Sequence, residues 1–124
     1  MQKKILVVDD DALTLETIGE FLASKGYELL LARTGSKAMQ FAREEKFDAT
    51  ILDVNLPDID GFAVLEEIRK GSANIPAIMM SAKNESECRA RSLELGANFF
   101  LSKPVKLSLL EWELKEIFRE EVNR

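Results

Sequence analysis

The 124-residue sequence contains no histidine, which removes the commonest general base and imidazole metal ligand and leaves the chain unable to carry a phosphohistidine of its own. It has one cysteine, Cys88, so no internal disulfide can form and a reducing compartment is expected. No apolar stretch approaches the roughly 20 residues that span a bilayer. Met1-Gln2-Lys3-Lys4 passes straight into a strand-like run without the apolar core of a secretory signal, so the expectation is a cytoplasmic protein without membrane contact. A glycine-rich phosphate loop is missing after that first run, because aspartates stand there, and a nucleotide or redox role finds no support. Positive charge is also scarce. Seventeen basic residues against 22 acidic give a net −5, which argues against this segment gripping a nucleic-acid backbone directly. There is no linker, low-complexity tract or charge block, so residues 1–124 read as one domain, and a 46% hydrophobic content is enough for its own core.

What the sequence does have is four short apolar runs that each end in oxygen- or ammonium-bearing side chains. Ile5 to Val8 lead into Asp9, Asp10 and Asp11; Ala49 to Leu52 into Asp53; Ala77 to Met80 into Ser81; Phe99 to Leu101 into Ser102, Lys103 and Pro104. Segments of helical period lie between them, such as Ile18, Phe21 and Leu22 before Gly26, and Phe62, Leu65 and Ile68 before Gly71. The pattern predicts strands at 4–8, 28–32, 49–53, 77–81 and 98–101, alternating with helices at 12–25, 36–45, 61–70, 85–95 and 107–122. Continuous apolar strands such as ILVV and AIMM suit a parallel sheet covered on both faces, so the expected class is α/β. Gly26 and Gly96 stand where helix C-caps are expected. The carboxyl ends of parallel strands share one edge, so acids, a hydroxyl and an ammonium converge on one crevice.

Adjacent carboxylates repel one another unless a cation or separate solvation relieves them. An oxygen-only cluster selects a hard ion, and Mg²⁺ fits because it takes one or two carboxylates and shares its remaining positions with water and phosphate. Asp9 to Asp11 equally fit a solvated acidic turn that caps the first helix. Asp53, at the end of the central strand, reads as a metal ligand, as a nucleophile that forms an acyl phosphate, or as a turn aspartate. Ser81 can donate to a phosphoryl oxygen, Lys103 supplies a compact positive charge, and Pro104 makes a cis Lys103-Pro104 bond an option. The segment Glu85 to Leu95 has few apolar anchors and is expected to shift easily. In the last helix, Leu110, Leu114, Ile117 and Phe118 share one face while Leu109 and Trp112 fall on the other, either as a contact surface or as ordinary exposed side chains.

ILVVDDD, ILDVNLPDIDG, IMMSA and GANFFLSKPV, in this order and spacing, resemble the receiver domain of bacterial two-component response regulators over essentially the whole chain. The resemblance implies a flavodoxin-like (βα)5 fold with strand order 2-1-3-4-5. It implies that Asp53 accepts a phosphoryl group from a phosphohistidine on a sensor histidine kinase or phosphotransfer protein. It implies that Asp9, Asp10, Asp53 and the backbone carbonyl of Asn55 hold Mg²⁺, with Asp10 the more direct ligand of the acidic pair, and that Ser81 and Lys103 contact the phosphoryl group. Phe100 falls at the switch aromatic, and the helix 4, strand 5 and helix 5 surface becomes the output face, with Leu109 and Trp112 as contact candidates and a homodimer through it as one outcome. On this reading the domain is a signalling module that catalyses its own aspartyl phosphorylation and dephosphorylation. Ser81 stands where threonine is more frequent, and Phe100 lacks a tyrosine hydroxyl, so its switch must be steric. Asn55 and Lys83 occupy positions that tune attack of water on the acyl phosphate; Lys83 could also bind the phosphoryl group or point into solvent, and solvent is the favoured reading. Asp11 has no assigned role. Two rivals remain: a haloacid-dehalogenase-type phosphatase using Asp9 and Asp11 at i, i+2 spacing, and a receiver-like module that binds without accepting phosphate.

Overall fold

A computed structural model describes residues 2–82 and 85–122. Five strands and five helices alternate: β1 (Lys4–Val8), α1 (Ala12–Ser24), β2 (Glu28–Ala32), α2 (Gly35–Glu44), β3 (Ala49–Asp53), α3 (Gly61–Gly71), β4 (Ala77–Ser81), α4 (Glu85–Glu94), β5 (Phe99–Ser102) and α5 (Leu107–Val122). The strands form one parallel sheet in the order β2-β1-β3-β4-β5, with Val8 opposite both Ala32 and Leu52, and Ser81 opposite Ser102. The chain steps from β1 outward to β2 and then returns to β3 on the other side of β1, so a crevice opens between the carboxyl ends of β1 and β3.

Side chains that alternate along each strand build two cores. Leu6, Val8, Leu52, Met79 and Phe100 face one way, together with Phe62, Leu65 and Ile68 of α3. Ile5, Val7, Ile51, Ile78, Met80 and Leu101 face the other, against Leu15, Ile18 and Leu22 of α1 and Leu110, Leu114 and Ile117 of α5. Burial on both faces explains why these strands read as unbroken apolar runs, each large side chain contributing on the order of 1.5–3 kcal/mol. Gly26 (φ 94°) and Gly96 (φ 79°) end α1 and α4 in the left-handed conformation expected of them.

Element ends differ from the sequence-based ranges by one residue at most. α2 begins at Gly35 and ends at Glu44, because Thr34 caps it (Lys37 N–H to Thr34 Oγ1, 3.1 Å) and a carboxylate from another loop accepts the first helical amides. β5 runs from Phe99 to Ser102, its register against β4 carrying it one residue further than expected. α1 and α4 stop one residue short of the expected ends and α3 runs one residue further, which is the ordinary scatter of frayed helix ends.

Candidate functional site

Asp9, the residue after β1, is completely buried, and Asp53 at the end of β3 is 2% exposed. One cation serves both: Lys103 Nζ lies 2.7 Å from Asp53 Oδ2 and 2.7 Å from Asp9 Oδ2. The Asp53 contact is a true hydrogen bond, whereas the Asp9 contact is a close charge pair whose angles leave that buried oxygen without a directional donor. Lys103 is delivered from the loop after β5 through a cis Lys103-Pro104 peptide, with its own N–H on the carbonyl of Ser81 (3.0 Å). The remaining oxygens are aimed by the backbone. Asp9 Oδ1 accepts the N–H of Asp11 (2.9 Å), and Asp53 Oδ1 accepts that of Asn55 (2.9 Å).

Burial pushes the Asp53 carboxyl above its ordinary pKa; the Lys103 and Asn55 hydrogen bonds offset this only in part, and the neighbouring Asp9 charge adds to it. Burial pulls the Lys103 ammonium the other way, yet its contacts with Asp53 and Asp9 outweigh that and hold it above its ordinary value.

Asp10 is exposed, and Asp9, Asp10 and Asp53 each offer an oxygen within 4.8 Å of the others. Three carboxylates against one ammonium leave two negative charges uncompensated, which matches a divalent ion. The donors are all oxygen, and the buried Asp9 Oδ2 accepts no hydrogen bond, so the residues present fit a hard cation such as Mg²⁺. A cleft of about 450 Å³ lined by Asp10, Asn55, Asp58 and Asp60 opens beside them.

Ser81 closes β4 and is buried, with Oγ donating to the side-chain oxygen of Asn55 at 3.0 Å. The resemblance gave Asn55 a backbone carbonyl for the metal and a position that tunes attack of water, and no spacing rule signals its side-chain contact with Ser81. Phe100, next to Leu101 on β5, is 6% exposed, with its ring under the Arg89 guanidinium of α4 at 4.9 Å. The weak anchoring expected of α4 is observed. Among its described side chains Ser92 alone is fully buried, Cys88 is half-buried, and Leu93 is exposed. Cations hold it and the turn after it instead: Arg91 sits over Phe62 at 4.9 Å, and Arg69 of α3 donates to the carbonyls of Leu95 and Gly96 just beyond the helix. Leu109 and Trp112 are exposed as expected (40% and 53%), although the Trp112 ring also meets Phe99 edge-on at 6.3 Å. Asp11 caps α1 through the Thr14 N–H (3.1 Å) and hydroxyl, which accounts for it without a chemical role. Lys83 lies outside the described residues.

The loop from Asn55 to Asp60 is pinned at both ends. A Cβ on Gly61 would stand 2.2 Å from the carbonyl oxygen of Asp53, so only glycine lets α3 start directly against the end of β3. Asp60 caps α3 through Phe62 N–H (2.7 Å), and Asp58 reaches across to the start of α2. Its carboxyl is pushed down to about 2 by bonds from the Ser36 hydroxyl and amide and from the Gly35 amide.

A parallel 2-1-3-4-5 sheet with an acidic crevice at its switch point and a lysine spanning two of the acids defines a phosphoryl-handling α/β domain. The family model for the response regulator receiver domain matches residues 5–115. The alkaline phosphatase synthesis transcriptional regulatory protein PhoP of Bacillus subtilis is 36% identical over 119 residues, which cover 96% of this chain and 50% of that protein. Among solved structures, a CheY-like response regulator receiver domain protein from Methanospirillum hungatei superimposes with a TM-score of 0.93 at 31% identity, covering 99% of this chain and 98% of that one. The BeF3-activated receiver domain of DrrB gives 0.87 at 28%, covering 96% and 99%. The chain belongs to the response regulator receiver family and is a signalling domain of the two-component type. It spans about half the length of the curated relatives it matches. No described helix is long and apolar enough to cross a membrane.

Proposed function

We propose that this domain, residues 1–124, accepts a phosphoryl group on Asp53 from a histidine-phosphorylated donor, either a sensor histidine kinase or a phosphotransfer protein, in a cytoplasmic setting. The carrying observation is the Lys103 ammonium held 2.7 Å from the Asp53 carboxylate, where it meets the oxygens of any group transferred to that carboxylate. An Asp53 oxygen attacks phosphorus, the phosphorus–nitrogen bond of the donor breaks in line, and the imidazole nitrogen leaves with the electron pair. Asn55 N–H fixes the carboxylate through Oδ1 during the attack. Held by Asp9, Asp10, Asp53 and the Asn55 carbonyl, Mg²⁺ would neutralise charge on the phosphoryl oxygens. Ser81 exchanges its bond to Asn55 for the phosphoryl group and moves inward, which frees Phe100 and, through Arg89, the weakly anchored α4. Hydrolysis of the acyl phosphate, which the same domain catalyses, resets the site. The BeF3-activated form of the related DrrB domain supports carrying this chemistry over.

Incubation with acetyl phosphate and Mg²⁺ is expected to add one phosphoryl group, read by mass spectrometry and mapped to Asp53. Lys103→Met is expected to slow labelling by on the order of 10²-fold, the loss seen when one fixed charge-stabilising group is removed. Label on Asp9 would favour the phosphatase-type reading, and absence of label would favour a module that only binds.

The output face of α4, β5 and α5 offers Leu93, Leu109 and Trp112 as exposed apolar side chains, and we place a homodimer contact there. Light scattering of the Mg²⁺–beryllofluoride form is expected to show twice the monomer mass at high concentration, with Trp112→Glu returning it to a monomer; a wild-type form that stays monomeric defeats the dimer.

A further inference from the structure

The end of β2 and the turn from it into α2 contribute no group to the acidic cluster, yet they touch both loops that carry it. Toward the β1–α1 loop, Ala32 accepts the N–H of Asp9 (3.1 Å), and Arg33 donates weakly to the carbonyl of Asp10 (3.4 Å). Toward the β3–α3 loop, the two oxygens of Asp58 accept Gly35 N–H (2.8 Å), Ser36 N–H (2.9 Å) and the Ser36 hydroxyl (2.6 Å). This approach is close. A Cβ on Gly35 would stand 2.8 Å from the Cβ of Ile59 and 3.2 Å from Asp58 Oδ1, so the glycine is what lets the loop seat. α2 does not need Asp58 as its primary cap, because Thr34 Oγ1 already accepts Lys37 N–H. Three hydrogen bonds accepted by an otherwise exposed aspartate therefore hold something besides the helix. That something is the segment from Asp53 to Asp58, in which Asn55 bonds both Asp53 and Ser81.

We infer that Asp58 is a positioning residue for the divalent-cation site: by bracketing the β3–α3 loop to the start of α2, it fixes the Asn55 segment relative to Asp9, Asp10 and Asp53. The inference rests on reading those residues as the cation site. Groups that orient metal ligands cost about 10- to 100-fold in affinity when removed. Asp58→Ala is thus expected to weaken Mg²⁺ binding about 10-fold, and Asp58→Asn, which keeps one acceptor for Gly35 N–H, to fall between Ala and the wild type.

The test is a Mg²⁺ titration of the unphosphorylated protein followed by amide NMR shifts, beside amide hydrogen exchange without the metal. Thr34→Ala is the control, since it removes the α2 cap and leaves every Asp58 bond. The expected result is weaker Mg²⁺ binding in the order wild type, Asn, Ala, with Thr34→Ala at the wild-type affinity, and faster exchange at the Asn55 amide only in the Asp58 variants. Equal weakening by Thr34→Ala and Asp58→Ala would reduce Asp58 to a helix cap and overturn the inference. Equal weakening by Asn and Ala would assign the effect to lost negative charge and overturn it as well. A wild-type protein that shows no Mg²⁺ response overturns the cation reading instead, and unchanged Asn55 exchange in Asp58→Ala then overturns the bracket independently.

Discussion

Asp53→Asn is expected to abolish labelling by acetyl phosphate and to remove the response to Mg²⁺ plus beryllofluoride. The amide is nearly isosteric with the carboxylate, and its oxygen can still accept the Asn55 N–H, so the loop geometry survives. What disappears is the nucleophile, one of three carboxylates and the oxygen that accepts the Lys103 ammonium, which keeps Asp9 as its partner. The same substitution makes a second, separable prediction on stability. Burial holds the folded Asp53 carboxyl above its ordinary pKa, so the folded state binds that proton more tightly than the unfolded chain does. The contribution is present at pH below the unfolded value near 3.8 and is lost as pH rises through the folded one. At neutral pH the ionised group is therefore a net cost to folding, and Asp53→Asn is expected to be at least as stable as the wild type in urea. A variant that is both unlabelled and markedly destabilised would mean that Lys103 depends on Asp53 structurally, and the loss of label would then need Lys103→Met as its comparison. Residual label in a well-folded Asp53→Asn protein, mapped to Asp9, would remove Asp53 from the chemistry.

Much of this arrangement was legible in the sequence because it is written in strand ends. A parallel strand buried on both faces must be a continuous apolar run, so the residue that breaks the run marks the carboxyl edge; Asp9, Asp53 and Ser81 announce themselves in that way, and Lys103 comes directly after Ser102, which does the same. The core stripe of α5 was legible for the same kind of reason, a period that packing imposes. What could not be read is who meets whom among polar side chains. Asp58 and Asp60 stand two apart in one turn and look interchangeable, yet one caps its own helix and the other crosses 22 residues of sequence to Ser36. Arg69, Arg89 and Arg91 look like solvated helix charges, whereas each has a specific partner in the groups that hold α4 and the loop after it. Such contacts depend on the approach of elements distant in sequence, and neither period nor propensity carries that information.

Glu113 is the sharpest case, because in the run ELKE it is indistinguishable from the glutamates around it. At 100° per residue it falls between Leu109 and Ile117, on the flank where the core stripe meets the output face. It is 5% exposed, its Oε1 has no hydrogen-bond partner among the described residues, and burial pushes its pKa up from 4.5 to about 7. The folded state thus retains this proton between pH 4.5 and about 7 where the unfolded chain has released it, so stability falls as pH rises through that window and the loss is complete above it. A shift of this size corresponds to at most roughly 3–4 kcal/mol, and solvent near the helix surface reduces it to about 1–3 kcal/mol. Glu113→Met substitutes an unbranched apolar chain of similar length with no group to desolvate. It is expected to raise the urea midpoint at pH 8 by the equivalent of about 1–3 kcal/mol, to raise it less at pH 5, and to leave the rate of Asp53 labelling unchanged. A gain independent of pH would show that Glu113 is not titrating in the folded protein, and a loss at pH 8 would show that its carboxylate has a stabilising partner.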